Sequence, residues 1–166
     1  MIPVVSFIGY GNSGKTTFLI KVISEMKNRG YKVAIVKHDV HGFDIDKPGK
    51  DTWRYAQAGA DTVCISSPAK MALIRQVDEE MSLDAVLRHI EDVDIIFTEG
   101  FKQESKPKIE VYRKASGQEP IGKKEDLVAV VSDTPLYDGI PCFSLEDEVS
   151  LADFVIQHFR IKRRGI

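Results

Sequence analysis

The feature that most constrains this chain is an eight-residue motif near its start, Gly9–Thr16. Its sequence, GYGNSGKT, fits the pattern GxxxxGK[ST] without a gap. It directly follows a short β-branched segment, Val4–Ile8, and opens an amphipathic helical pattern at Lys15. Glycines let the backbone curl around an anion, and the helix N-terminus adds partial positive charge. The motif therefore predicts a phosphate-binding loop between a strand and a helix.

The segments after this motif predict the rest of the fold. Apolar residues from Phe18 to Met26 fall on one helical stripe, Gly30 is placed to end that helix, and Val33–Val36 is expected to be a second buried strand. A strand, a helix and a strand form a βαβ unit, which builds parallel sheets. The alternation predicts a three-layer α/β P-loop NTPase fold with a mostly parallel central sheet. Further strands are predicted over Val93–Thr98, Ile109–Tyr112 and Leu127–Val131.

Two apolar segments predict an addition to this sheet. Thr62–Ser66 and Met71–Arg75 flank a Ser-Pro-Ala turn, so we expect a β-hairpin extension. The chain has 166 residues, of which 43% are apolar, and this is enough for one hydrophobic core. We therefore predict a single P-loop nucleotide-binding domain over residues 1–166. Three further helices are expected over Thr52–Ala58, Ser82–His89 and Ser150–Phe159.

Composition excludes several classes of protein. The chain carries 23 Lys+Arg against 25 Asp+Glu, a balance that argues against a nucleic-acid partner. No apolar segment approaches the ~18 residues of a membrane span, and the N-terminus lacks the pattern of a signal peptide. The two cysteines, Cys64 and Cys142, are expected to be buried thiols in a reducing compartment. We thus expect a cytoplasmic protein without a membrane partner.

Lys15 and two acidic residues carry the predicted chemistry. Lys15 is expected to reach the β- and γ-phosphates, and the Thr16 hydroxyl to complete a Mg²⁺ shell. Glu99 follows an apolar strand segment and is the candidate acid for Mg²⁺, bound directly or through water. Lys15 and Glu99 are therefore the predicted catalytic residues, and Asp39 is the second candidate metal ligand. The alternative role of either acid is to cap a loop.

The residues expected to contact the nucleotide extend beyond the motif. Segment 46–54, with its KPGK sequence, is interpreted either as an anion-contacting flap or as a solvated surface loop. Arg54 is its only arginine and the candidate for contacting a phosphate or a partner's anionic ligand. His38 and His41 are weak candidates for a metal site, because no third ligand or cysteine lies nearby. The full set is Gly9, Gly11, Asn12, Ser13, Gly14, Lys15, Thr16, Thr17, Lys37, His38, Lys50, Arg54, Lys102 and Asp133.

A series of motifs resembles one known family. The motifs are GYGNSGKTT at residues 9–17, Lys37-His38 with His41, DKPGKD at 46–51, Ala58-Gly59-Ala60, EGFK at 99–102 and KIE at 108–110. In this order they resemble MobB, the molybdopterin-guanine dinucleotide biosynthesis adaptor family. The likeness runs from residue 4 to at least residue 133. The phosphate-loop motif is shared by many families, whereas the KPGKD and EGFK segments are far more specific.

The resemblance implies a GTP-binding, Mg²⁺-dependent homodimer with weak GTPase activity at most, which acts mainly as an adaptor. It implies assistance to MobA, the guanylyltransferase that attaches GMP to molybdopterin, and delivery of the finished cofactor to molybdoenzymes. Whether molybdopterin itself binds stays open at this point. Its phosphate would be expected at the cluster of Lys37, His38, Lys50, Arg54 and Lys102.

The chain lacks the usual guanine-reading motif. Its only asparagines, Asn12 and Asn28, do not begin an NKxD sequence. Asp133, directly after a predicted strand, is the alternative, because a carboxylate accepts hydrogen bonds from guanine N1 and N2, and adenine offers no matching donor pair. Asp133 is otherwise expected only to open a turn. We expect slow hydrolysis, since no glutamine is placed like the switch glutamine of GTPases.

Two other functions remain open from the sequence. One is an ATP-dependent small-molecule kinase or ligase of the dethiobiotin-synthetase kind, although few arginines are available for a phosphate-covering lid. The other is a nickel-insertion GTPase, whose cysteine and histidine motifs are not found. Tyr10 replaces the second lysine of ParA/MinD-like ATPases, which argues against that branch. The hairpin over residues 62–75 is the predicted dimer edge, and the basic tail over residues 160–164 is interpreted as a solubilising terminus.

Overall fold

The computed structural model describes residues 1–163. Contacts divide the chain into two compact units, one formed by Met1–His38 together with the chain from Arg88 onwards, and the other by Asp39–Leu87. The prediction of one domain over residues 1–166 stays a prediction. The last residue of the predicted basic tail, Arg164, lies outside the described residues.

Strands and helices follow one another along residues 1–163 in the order expected for an α/β protein. None of the helices combines the length and apolar content that crossing a membrane requires. In chain order the elements are β1 (Val4–Ile8), α1 (Lys15–Asn28), β2 (Val33–Lys37), α2 (Asp51–Gln57), β3 (Thr62–Ser66), β4 (Met71–Arg75), α3 (Leu83–Leu87), β5 (Ile95–Glu99), β6 (Lys108–Tyr112), β7 (Leu127–Ser132), β8 (Cys142–Phe143) and α4 (Glu148–His158).

The first unit is built on a six-stranded sheet with the order β2-β5-β1-β6-β7-β8. All five strand pairings are parallel, so the predicted parallel sheet is confirmed. Helices α1 and α4 pack together in one hydrophobic cluster with alternate residues of the strands, such as Phe7 and Phe97. On the other face Ile8, Leu127 and Val130 form a smaller cluster with residues of loops. The carboxyl ends of β1, β5, β6 and β7 therefore meet at one edge.

The second unit contains the predicted hairpin. Strands β3 and β4 pair in antiparallel register from Thr62 opposite Arg75 to Ser66 opposite Met71. The turn is closed by the Ser67 N–H, which donates to the Lys70 carbonyl at 2.8 Å. Helix α2 agrees within one residue with its prediction, while α3 ends at Leu87, two residues before the predicted end at His89.

Two predictions about burial are wrong, and one strand was not predicted. Strand β2 is an edge strand, and Ile35 is 47% exposed, because an apolar segment does not reveal where its strand lies in the sheet. Cys64 and Cys142 are exposed and not buried, since one lies on the two-stranded hairpin and the other on the short edge strand β8. Strand β8 has two residues, too few to give a recognisable pattern in the sequence.

Candidate phosphate-binding site

The loop after β1 has the backbone conformation that its glycines permit. Gly9 has φ +144°, and a methyl group added there would lie 2.3 Å from the Val111 carbonyl oxygen of β6. Gly14 has φ +89° and precedes α1, whose first hydrogen bond runs from the Phe18 N–H to the Gly14 carbonyl at 2.9 Å. These positions therefore need glycine to place the loop against the sheet and at the helix N-terminus.

A buried polar atom inside the loop lacks a partner. The Ser13 side chain is 2% exposed, and its hydroxyl makes no hydrogen bond within residues 1–163. An unsatisfied buried hydroxyl costs about 1–3 kcal/mol, so such an atom calls for an explanation, and a bound group is one explanation. Together with the helix N-terminus at Gly14, this atom fits a loop that receives an anion.

Lys15 is partly buried and is influenced by charged residues around it. Its ammonium group donates to the Tyr10 carbonyl at 2.6 Å, which holds the side chain back over the loop. Burial lowers the pKa of Lys15; Glu99 opposes this effect, while the nearby cations Lys102 and Lys37 add to it. The positive charges of Lys102 and Lys37 thus oppose the charged form of Lys15, and the carboxylate of Glu99 favours it. A bound phosphate would relieve the repulsion between the lysines and favour the charged form of Lys15.

The predicted magnesium ligands are in contact. The Thr16 hydroxyl donates to Glu99 Oε1 at 2.8 Å, and Glu99 ends β5 opposite Phe7 of β1. Hydroxyl and carboxylate oxygens suit Mg²⁺, which in nucleotide sites keeps one or two protein ligands and takes the rest from phosphate and water. The pair therefore fits a Mg²⁺ ion. Among the described residues, no group of three or more His, Cys, Asp or Glu is arranged to hold a metal.

The segment after Glu99 closes around the loop. Phe101 stacks on His38 with ring centroids 4.8 Å apart, and the Lys102 ammonium lies 5.3 Å from the centre of the Tyr10 ring. A methyl group at Gly100 would come within 3.0 Å of His38 Cβ, so this close approach also needs glycine. The structure thus places Lys102 beside Tyr10 of the loop and His38 beside Phe101, two aromatic residues that sequence reasoning did not include. Contacts of His38 and Lys102 to a nucleotide stay predictions.

The opposite side of the loop holds Asp133 and an arginine. Asp133 follows β7, and its Oδ1 accepts from the Lys114 N–H at 2.9 Å, so the carboxylate caps the turn after β6. Arg113 was missed by sequence reasoning, although it follows β6 directly, as Glu99 ends β5. A methyl group at Gly14 would lie 3.6 Å from its guanidinium.

The other predicted contacts belong to the second unit and are described within it alone. Asp39 accepts from the His41 N–H at 3.0 Å, and Lys50 directly precedes α2. Arg54 lies 3.9 Å from Asp51 at an exposed position. Their roles toward a nucleotide or a metal stay predictions.

The fold and this loop define an α/β protein of P-loop-like fold, with flanking helices and a hairpin. The family model for molybdopterin guanine dinucleotide synthesis protein B, MobB, matches residues 4–133. The chain is 36% identical over 163 residues to the molybdopterin-guanine dinucleotide biosynthesis adapter protein of Escherichia coli K12, with 95% of this chain and 93% of the relative covered. The protein of the same name from Haemophilus influenzae is 32% identical, with 95% and 92% covered.

Solved structures give the same result. A crystal structure of molybdopterin-guanine biosynthesis protein B has 31% sequence identity and a TM-score of 0.73, and covers 95% of this chain and 99% of its own. Bacillus subtilis MobB, at 26% identity, has a TM-score of 0.72 and covers 97% and 99%. The chain belongs to the MobB family.

Proposed function

We propose that the chain is a GTP-binding accessory protein in the conversion of molybdopterin to molybdopterin guanine dinucleotide. The observation that carries this proposal is the contact between Thr16 and Glu99 beside the partly buried Lys15, at the end of a glycine loop. Relatives across most of the chain carry the name of adapter proteins in that biosynthesis. A pathway that transfers a guanine nucleotide gives such a protein a reason to bind GTP.

Different residues of the loop bind different parts of the phosphate chain. The N–H groups from Ser13 to Thr17 and the α1 N-terminus supply partial positive charge, and Lys15 exchanges its bond to the Tyr10 carbonyl for a β- or γ-phosphate oxygen. Thr16 and Glu99 hold Mg²⁺, which neutralises the phosphates when bound. Besides holding the metal, Glu99 can do no more than orient a water molecule. GTP hydrolysis is therefore slow.

Guanine recognition falls to Asp133 in this proposal. Its Oδ1 is occupied by the Lys114 N–H, whereas Oδ2 accepts no hydrogen bond within residues 1–163. A carboxylate oxygen at the end of β7 is suited to the N1 and N2 donors of guanine. Adenine presents no such donor pair, and its binding would leave this carboxylate unpaired.

The accessory role requires partners. We propose a MobA-type guanylyltransferase as the main partner and molybdoenzymes as recipients of the finished cofactor, with a molybdopterin phosphate held near Lys37, His38 and Lys102.

Homodimerisation is supported by the hairpin, where Ile65, Met71 and Leu73 are each more than half exposed. Exposed apolar side chains on a two-stranded sheet favour pairing with a second copy.

Calorimetric titration of the chain with GTP and ATP, in the presence of Mg²⁺, tests the proposal. We expect GTP to bind and Lys15→Ala to lose at least about 100-fold in affinity, because a charge-assisted phosphate contact is removed. Lys27→Ala is the matched control, since Lys27 is an exposed lysine of the same helix. Preference for ATP would support the small-molecule kinase instead, and binding of neither nucleotide would contradict the proposal.

The adapter role needs a second measurement. We expect the purified chain to raise the yield of molybdopterin guanine dinucleotide formed by a MobA-type guanylyltransferase from molybdopterin and GTP. The Lys15→Ala chain should fail to do so. An equal yield with and without the wild-type chain would refute the accessory role while leaving GTP binding intact.

A further inference from the structure

The register of the sheet places Arg113 beside the phosphate loop. β6 pairs in parallel with β1, with Glu110 opposite Ile8, the last residue of β1. Arg113 comes three residues after Glu110, so it lies beyond the end of β1, where the chain of β1 has already turned into the loop. The arginine therefore stands beside the loop and not beside the strand.

Its backbone is fixed in this position. The Arg113 carbonyl accepts from the Ser116 N–H at 2.9 Å, and the next N–H, that of Lys114, donates to Asp133 Oδ1 at 2.9 Å. The preceding strand packs closely against the loop, because a Cβ atom added at Gly9 would lie 2.3 Å from the Val111 carbonyl oxygen. These contacts thus hold the backbone on both sides of Arg113.

The guanidinium group of Arg113 is close to the loop and uncommitted. One terminal nitrogen lies 3.6 Å from the point that a methyl group at Gly14 would occupy. The side chain is exposed and makes no hydrogen bond or ion pair within residues 1–163. The acid it influences is Glu146, whose pKa is lowered mainly by its hydrogen bond and ion pair with Lys21, with a smaller contribution from Arg113.

Strand order arranges the polar groups of this edge in sequence. The Thr16–Glu99 contact lies on the β5 side of β1, whereas Asp133 follows β7 on the other side. Arg113 follows β6, between the loop and Asp133. A nucleotide with its γ-phosphate and metal at Glu99 and its base at Asp133 would therefore present its α- and β-phosphates to Arg113.

On the premise that the proposed GTP binding is correct, we propose that Arg113 binds the α- and β-phosphates of the guanine nucleotide. The planar guanidinium group matches two phosphate oxygens at once, which a lysine at the same position cannot do. Because GDP retains both phosphates, Arg113 strengthens the binding of GTP and GDP alike. It is a binding residue for the two phosphates that GDP retains.

Calorimetric titration of GTP and GDP with Mg²⁺ into wild type and Arg113→Ala tests this role. We expect both affinities to fall by a similar factor, about 10- to 100-fold, with Arg113→Lys between wild type and Arg113→Ala. Unfolding curves of Arg113→Ala should match wild type, because the side chain makes no bond within the described residues.

Lys114→Ala is the matched control. It removes an exposed positive charge one residue away and keeps the N–H that bonds to Asp133. Unchanged affinity in Arg113→Ala, a loss confined to GTP, or an equal loss in Lys114→Ala would each overturn the role of Arg113. Failure of the wild type to bind GTP is a different result, which would refute the proposed function and this inference with it.

Discussion

The two sides of the phosphate loop differ in how far their polar groups are already paired. On the β5 side Thr16 bonds to Glu99, and Lys102 lies over the ring of Tyr10. On the β6 side Arg113 has no polar partner within residues 1–163, and Asp133 uses one carboxylate oxygen, on the Lys114 N–H. On the β5 side the polar side chains therefore contact other side chains, while on the β6 side Arg113 is unpaired and Asp133 bonds to a backbone N–H.

This difference matches the ligand groups that each side is proposed to hold. A metal ion needs ligands at fixed positions, and the Thr16–Glu99 hydrogen bond sets them before the ion arrives. The phosphates and the guanine base carry hydrogen-bond donors and acceptors of their own. The protein groups that bind them can therefore be unpaired at an exposed edge before the nucleotide binds. The frame under both sides must be rigid for either kind of binding.

The largest effect is expected where the loop meets β6. In Gly9→Ala, the added methyl group would overlap the Val111 carbonyl, and alanine strongly disfavours φ +144°. We expect the free energy of unfolding to fall by about 3 kcal/mol or more, measured by denaturant unfolding. Gly11→Ala is the control, because nothing lies within 4 Å of the added methyl group, and its effect should stay within about 0.5 kcal/mol. Equal losses in the two variants would show that the β6 contact does not constrain the loop.

Much of this frame was predictable because it depends on local patterns. The GxxxxGK[ST] spacing located the loop, and β1 has the predicted bounds of Val4–Ile8. Alternating strands and helices predicted the parallel sheet, and the turn between two apolar segments predicted the hairpin. Glu99 was identified because it is the first acidic residue after the apolar residues of β5, at the carboxyl end of the strand.

The missed features depend on strand order and on tertiary contacts. The edge position of β2 exposes Ile35, and no local pattern distinguishes an edge strand from a central one. Arg113 gains its position from the pairing of β6 with β1, which the sequence does not specify. The contact of Lys102 with Tyr10 joins residues 92 positions apart in the chain. Sequence reasoning identified Lys102 but not the ring that holds it.

Exchanging one carboxylate for an amide on each side should separate the two roles. Glu99→Gln keeps the acceptor for Thr16 but removes the charge, so we expect the gain in GTP affinity from Mg²⁺ to fall about tenfold. Asp133→Asn keeps the acceptor for the Lys114 N–H, and we expect the preference for GTP over ATP to fall about tenfold. Calorimetry with both nucleotides, with and without Mg²⁺, measures each quantity.

Each variant serves as the control for the other. Glu99→Gln should retain its preference for GTP, and Asp133→Asn should retain its response to Mg²⁺. Glu119→Gln, which alters an exposed carboxylate in the loop between β6 and β7, should change neither. If Asp133→Asn keeps the full preference for GTP, guanine is read elsewhere and Asp133 serves only as the cap of the turn after β6.

The smallest effect concerns the loops that support the β6 side. Glu110 of β6 is 1% exposed and accepts from the Ile121 N–H at 2.6 Å, the Gly122 N–H at 3.2 Å and the Tyr137 hydroxyl at 3.0 Å. Tyr137→Phe removes one of these three donors and leaves the carboxylate bonded to the other two. We expect a loss of about 1–2 kcal/mol in the free energy of unfolding at neutral pH, measured by denaturant unfolding.

The contact between Tyr137 and Glu110 makes the stability difference between wild type and Tyr137→Phe depend on pH. Burial, followed by the charge of Glu110 and the hydrogen bond to it, raises the pKa of Tyr137 to about 12 from an ordinary value of 10.0. The folded chain thus holds the phenol proton more tightly than the unfolded chain does. The resulting stability is complete below pH 10 and is lost as the pH rises toward 12.

We therefore expect the stability difference between wild type and Tyr137→Phe to shrink between pH 10 and pH 12, in unfolding curves recorded across that range. Tyr55→Phe, which alters an exposed tyrosine, should show no such change. A difference that stays constant to pH 12 would mean that the Tyr137 hydroxyl is not bonded to an ionised Glu110. The Tyr137 hydroxyl would then donate to the Gly122 carbonyl, which also lies 3.0 Å away, and the Glu110 carboxylate would depend on the two backbone N–H groups alone.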